Sequence, residues 1–126
     1  MRRESLAGPI NPYHYILHCI GGKWKITILH EIYTYGSIRF NQTLRVLSIS
    51  EKVLSQQLKE LARDGLIERI VDSNTHPPTI DYQLTDAGRE LMPTLDHLCR
   101  WTIRHMAQER IPVAELRAYL AEKLAY

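Results

Sequence analysis

Apolar residues along this chain recur first at helical spacing, then in alternation, then at helical spacing again. Before any period begins, Gly8-Pro9 and Asn11-Pro12 interrupt the backbone, which predicts a loose, flexible arm over residues 1–11. Pro12 suits the first turn of a helix. That helix is expected to bury Tyr13, Leu17 and Ile20 and to end at Gly21-Gly22. In "KWKITILHEIYTYG" (residues 23–36), Trp24, Ile28, Leu29 and Ile32 mark the apolar face of a second helix, stopped by Gly36. "SIRF" (residues 37–40) alternates and reads as a small strand. Asn41 is then the expected cap of a brief helix that buries Leu44 and Leu47, and "SIS" (residues 48–50) turns tightly into the next.

That next helix, "SEKVLSQQLKELARDG" (residues 50–65), has the sharpest division of faces. At about 100° per residue, Leu54, Leu58 and Leu61 fall together as a buried stripe. Opposite them lie Lys52, Gln56, Lys59 and Arg63, with Glu51, Glu60 and Asp64 on the flanks. Ser50 suits the N-cap, Glu51 suits the dipole of the first turn, and Gly65 sits where a left-handed residue ends a helix. A cationic, amide-bearing stripe without an acid suits an anionic polymer with readable hydrogen-bond edges. A merely solvated surface is the simpler alternative.

The period then becomes two. "LIERIVD" (residues 66–72) is β-branched, and in "TIDYQL" (residues 79–84) Ile80, Tyr82 and Leu84 alternate with polar residues. The loop between them, stiffened by Pro77 and Pro78, is too long for a two-residue turn. Thr85 is the expected cap of a long helix over residues 86–109, with Leu91, Leu95, Leu98 and Thr102 on one stripe. Met92, Cys99, Trp101 and Met106 lie beside it, and Pro93 is expected to kink or split the helix. A last amphipathic helix is predicted over residues 113–126. Two helices joined by a three-residue turn and followed at once by a hairpin make a winged helix-turn-helix. The fold class is therefore α+β, mainly helical. In such a fold the second helix of the pair enters the major groove, and the wing reaches the backbone or the adjacent minor groove.

Composition narrows the class further. The 126 residues suffice for a modest core, and 44% apolar with 24% charged residues is ordinary for a globular protein. A net charge of +2 excludes a polybasic chain, but residues 1–63 carry +5 and residues 64–126 carry −3. The basic half holds the helix at 50–65, which favours an anionic partner there. No apolar run approaches a membrane span, and "MRRESLAGPINPY" lacks the apolar core of a secretory signal. Cys19 and Cys99 make no disulfide scaffold, so a cytoplasmic protein with reduced thiols and no membrane partner is expected.

In order along the chain stand "IGGKWKITIL" (residues 20–29), "RFNQTLR" (39–45), "ISEKVLSQQLKELARDGLIER" (49–69) and "PPTIDYQLTDAGREL" (77–91). This succession resembles the HxlR-type winged-helix transcriptional regulators of bacteria and archaea, over roughly residues 11–106. The resemblance implies a homodimer, joined by additional N- and C-terminal dimerisation helices, on an operator near the genes it controls. It divides the chain into a flexible arm (1–11), a winged helix-turn-helix domain with dimerisation helices (12–106) and a C-terminal helical extension (107–126). Family members often carry Cys-Pro at the start of the first helix, where the cysteine can sense oxidants. Here the pair is Asn11-Pro12, so redox sensing through that position is excluded and any small-molecule or redox effector is left open.

The candidate DNA contacts follow. Lys52, Gln56 and Lys59 face the groove from a recognition helix at 50–64; Gln can take an adenine edge bidentately, and Lys can reach guanine or phosphate. Ser50 and Ser55 lie near the same end, Arg63 farther along, and Arg39 and Arg45 flank as backbone contacts. On a wing at 72–79, Asn74, Thr75 and His76 can bond phosphates. Tyr13, Leu17, Ile20, Leu95, Leu98, Trp101 and Met106 are the expected dimer interface. A two-fold dimer suits a palindromic duplex operator. His14 and His18, four residues apart beside Cys19, have a metal-chelating spacing but no further ligand motif, so surface histidines are the favoured reading. Tyr13, Tyr15, Tyr33 and Tyr35 can pack between helices or line an effector pocket. No catalytic set and no cofactor motif is evident. A protein-interaction winged helix, or a small metal-binding protein using His14 and His18, are the alternatives.

Overall fold

A computed structural model of the chain describes residues 8–113. Residues 1–7 of the expected arm, and 114–126 of the expected last helix and C-terminal extension, lie outside the described residues. The elements are α1 (Pro12–Ile20), α2 (Lys25–Tyr35), α3 (Phe40–Leu47), α4 (Glu51–Arg63), β1 (Ile67–Asp72), β2 (Thr79–Leu84) and α5 (Asp86–Gln108). The described residues divide into two compact units that meet between Met92 and Pro93, a break that falls inside the stretch the sequence groups as 12–106.

In the first unit Asn11 caps α1, its Oδ1 accepting from the Tyr13 N–H at 2.8 Å. The inward arc of α1 is centred between Cys19 and Ile20, both buried. Tyr13 (78% exposed) and Leu17 (63%) therefore lie outside the core, contrary to the expected stripe, of which Ile20 alone faces inward. On α2, Ile28, Leu29 and Ile32 have no exposure, and Lys25 is buried with them. Trp24 stands at the N-cap of α2, half-buried.

Helix α3 begins one residue before the expected "NQTLRVL", because the extended Arg39 already offers its carbonyl to the Thr43 N–H at 3.0 Å. Asn41 thus sits inside the first turn and is not the cap. Thr43 is the buried residue of α3, while Leu44 and Leu47 are half-buried. Ser48, left-handed at φ 54°, opens the turn into α4. There Ser50 Oγ accepts from the Val53 N–H at 3.1 Å, Leu54, Leu58 and Leu61 are buried, and Gly65 (φ 79°) follows the end as expected.

Strands β1 and β2 pair antiparallel from Ile67 opposite Leu84 to Asp72 opposite Thr79. The expected strand "SIRF" is reduced to one bridge: Ile38 N–H donates to Tyr82 O at 3.1 Å, and Tyr82 N–H to Ile38 O at 2.9 Å. Thr85 Oγ1 donates to Gly65 O at 2.6 Å and accepts from the Gly88 N–H at 3.1 Å, which ties the start of α5 to the end of α4. The unit centres on Ile28, Leu29, Ile32, Leu54, Leu61 and Met92, each fully buried. Burial of side chains this size contributes about 1.5–3 kcal/mol apiece.

Helix α5 is one helix with Pro93 inside it, so the alternative of two helices is not realised. Within residues 93–108, Leu95 is buried, Leu98 (48%) and Trp101 (52%) are exposed, and the Trp101 and His105 rings stack with centroids 5.0 Å apart. Among the described residues, no helix is long and apolar enough to cross a membrane.

Candidate nucleic-acid interface

The buried leucines of α4 fix which face of that helix is left over. Packing Leu54, Leu58 and Leu61 inward leaves Lys52, Gln56, Lys59 and Arg63 exposed on the far side. Three cations and one amide thus stand at helical spacing on a helix capped at its start by Ser50. Ser50 is exposed, but its Oγ serves the cap; Ser55 is half-buried. Arg63 Nε stands 3.7 Å from Asp64 Oδ1.

The stripe is less free of acid than its spacing suggests. Gln56 Nε2 donates to Glu60 Oε2, one turn along the helix. Glu60 Oε1 in turn meets Lys25 Nζ at 2.8 Å, across the contact between α2 and α4. Lys25 is only 4% exposed, so its charge is matched where water is scarce. The Gln56 hydrogen bond first, then that from Lys25, holds the Glu60 carboxyl below its ordinary pKa. Sequence reasoning passed over Lys25. The signal was present: Lys25, Ile28, Leu29 and Ile32 follow the i, i+3, i+4, i+7 rule, so a lysine on that face needs a buried acid.

Arg39, an expected backbone contact, donates from Nε to Asp81 Oδ1 of β2 at 2.9 Å, and remains more than half exposed. Arg45 is exposed on α3. In the loop after β1, Asn74 and His76 are exposed. The Asn74 N–H donates to Asp72 Oδ1 at 3.0 Å. Thr75 differs: its hydroxyl donates to Asp72 O at 3.1 Å and accepts from the Thr79 N–H at 3.0 Å. It braces the loop from inside and is half-buried.

Of the expected dimer residues, Tyr13, Leu17, Leu98 and Trp101 are exposed, and Met106 is half-buried. Ile20 and Leu95 are buried within the single chain, at 8% and 3% exposure, so they are core residues. His14 is exposed, and His18 Nε2 lies 3.9 Å from Asp64 Oδ1. No group of three or more metal-ligating side chains occurs among the described residues. Neither cysteine forms a disulfide; Cys19 is buried, and burial followed by the Asp96 charge pushes the Cys99 thiol pKa up. Of the four tyrosines, Tyr35 lines a cleft of about 250 Å³ between α2 and α3, with Glu31, Ile38, Gln42 and Val46. Burial raises the Glu31 carboxyl pKa there.

Comparison with known proteins places this geometry among relatives. The family model described as HxlR-like helix-turn-helix matches residues 19–110. The uncharacterized HTH-type transcriptional regulator YdzF of Bacillus subtilis (strain 168) is 45% identical over 91 residues, covering 71% of this chain and 83% of the relative. The crystal structure of the HTH-type regulator YtcD superposes with a TM-score of 0.72 at 40% identity, covering 78% of this chain and 99% of that one. The redox regulator HypR in its reduced form gives a TM-score of 0.70 at 34% identity, over 79% of this chain and 99% of that one.

Proposed function

This chain belongs to the HxlR-like helix-turn-helix family, and from that premise we propose how it engages DNA. It is a DNA-binding transcriptional regulator and not an enzyme. Two copies sit on a palindromic duplex operator, each with α4 in the major groove and the loop between β1 and β2 on the flanking backbone or minor groove. The observation that carries this reading is the exposed face of α4, where Lys52, Gln56, Lys59 and Arg63 stand opposite three buried leucines. Gln56 takes the edge of a base. Lys52 takes guanine or phosphate, and Lys59, Arg63 and Arg45 take phosphates. Arg39, Asn74 and His76 meet the backbone at the wing, and Thr75 keeps the wing in shape. Ser50 meets DNA through the hydroxyl that also caps α4. The second copy covers Tyr13 and Leu17, and likewise Leu98, Trp101 and Met106. The protein works in the cytoplasm, where DNA is at hand. Asn11, as the cap of α1, leaves no thiol at that position to take an oxidant.

The test is a footprint on the promoter adjoining its own gene, followed by titration of that duplex across salt. Phosphate contacts release counterions, so affinity should fall steeply as salt rises. Gln56→Ala should lower discrimination against random duplex by about 1–3 kcal/mol. Lys59→Ala should weaken binding to all sequences alike. No protected site would refute the docking of α4, and equal losses from both variants on every sequence would refute base reading by that helix.

A further inference from the structure

A glutamine amide is ambiguous as a reader of bases. Turned one way it accepts with Oε1 and donates with one N–H, which matches the N6 and N7 edge of adenine. Turned the other way, its NH2 alone serves the two acceptors of guanine, O6 and N7. Here the orientation is not open. An ionised carboxylate only accepts hydrogen bonds, so the group Gln56 presents to Glu60 is its NH2, and Oε1 points elsewhere. Glu60 is kept in place and ionised by Lys25, whose ammonium lies 2.8 Å from its other oxygen and is itself shut off from water.

We propose that Lys25 and Glu60 are positioning residues that lock the Gln56 amide to read adenine and to reject guanine. This rests on the proposed docking of α4 in the major groove. One N–H of Gln56 is spent on Glu60, and the amide offers the groove its carbonyl oxygen with the remaining N–H. A guanine at that position meets an oxygen where it needs a donor. Glu60 also has an electrostatic side: a bare carboxylate beside DNA repels phosphate, and the Lys25 ammonium behind it cancels that charge. Neither residue touches a base, yet together they set which base is accepted.

The test uses the full chain and a pool of duplex DNA with a randomised centre. Sequences enriched on wild type are titrated together with their single-base variants. Gln56→Ala first identifies the base pair that this residue reads. Two variants then separate the roles without leaving a buried charge alone. Lys25→Met/Glu60→Met removes the carboxylate, and Lys25→Arg keeps it with a cation beside it. The first should lose the preference for adenine over guanine at that base pair by about tenfold, with other positions unchanged. The second should retain it. Melting temperatures of both are read alongside, with Lys25→Met/Glu60→Ala as a further acceptor-free variant. If the acceptor-free variants keep the preference, or if Lys25→Arg loses it as they do, the inference is overturned while the docking of α4 stands. If Gln56→Ala alters no base preference, Gln56 reads no base and the inference falls with that reading.

Discussion

Lys25 puts an ammonium group where only 4% of the residue meets water, and Glu60 makes that tolerable. Removing Glu60 alone strands the charge, a loss that costs about 3–5 kcal/mol for a buried pair. The same pair gives stability a pH dependence of known sign. Glu60 is held below its ordinary 4.5 by Gln56, then Lys25, with Arg63 adding a smaller attraction. Its contribution is therefore complete above about pH 4.5 and is lost as pH falls through the lower folded value. Glu31, raised by burial, works the other way, so its contribution is lost as pH rises. Urea midpoints of wild type and Lys25→Met/Glu60→Gln, compared from neutral pH downward, isolate Glu60: the wild type should lose more stability below pH 4.5. Parallel curves would mean the pair contributes nothing. At this scale, periodicity made Leu54, Leu58, Leu61 and the Ser50 cap legible. It did not reveal the Lys25–Glu60 pair, because a period tells which face turns inward but not which residue of another helix lies opposite.

Among the elements, the wing shows how a loop is held without a core. Thr75 supplies the acceptor for the Thr79 N–H and donates to Asp72 O, while Asn74 and His76 stand in solvent. Thr75→Ala should therefore cost stability, about 0.5–1.5 kcal/mol for a lost hydrogen bond, readable as a lower urea midpoint. His76→Ala and Asn74→Ala should leave the midpoint alone and weaken DNA binding, each with a flatter salt slope if a phosphate contact is removed. Unchanged affinity and slope in both would take the wing off the DNA. The strand β2 has the bounds its alternation predicts, residues 79–84. The short "SIRF" does not form a strand, since a single bridge at Ile38 is all that reaches the sheet. Alternation over four residues cannot tell those cases apart. Helix α1 turns a different face inward from the expected one: Tyr13, Leu17 and Ile20 share a stripe, but the core takes the side between Cys19 and Ile20.

The single chain leaves apolar side chains in water in both of its compact units. Tyr13 and Leu17 are exposed on α1, Leu98 and Trp101 on α5. Leu98→Asp or Trp101→Asp would cost a lone chain little, because these positions are about half exposed. In a dimer that covers them, each carboxylate would be buried without a partner, at several kcal/mol. Sedimentation at micromolar concentration should accordingly show a wild-type dimer and monomeric variants that melt as cooperatively as wild type. A monomeric wild type that still binds its promoter tightly would refute the arrangement. Helical spacing groups Ile20 with Tyr13 and Leu17, and Leu95 with Leu98, but does not separate core from surface within each stripe, since burial depends on what the rest of the chain brings up against them. The bridge between Ile38 and Tyr82 reaches furthest at this scale. Its two hydrogen bonds fasten the connection that leads into α3 directly to the strand that carries the wing. On the docking proposed above, the footprint of one copy is therefore a ruler of set length: a base pair inserted within a half-site should lower affinity, and variable spacing should be absorbed between the two half-sites.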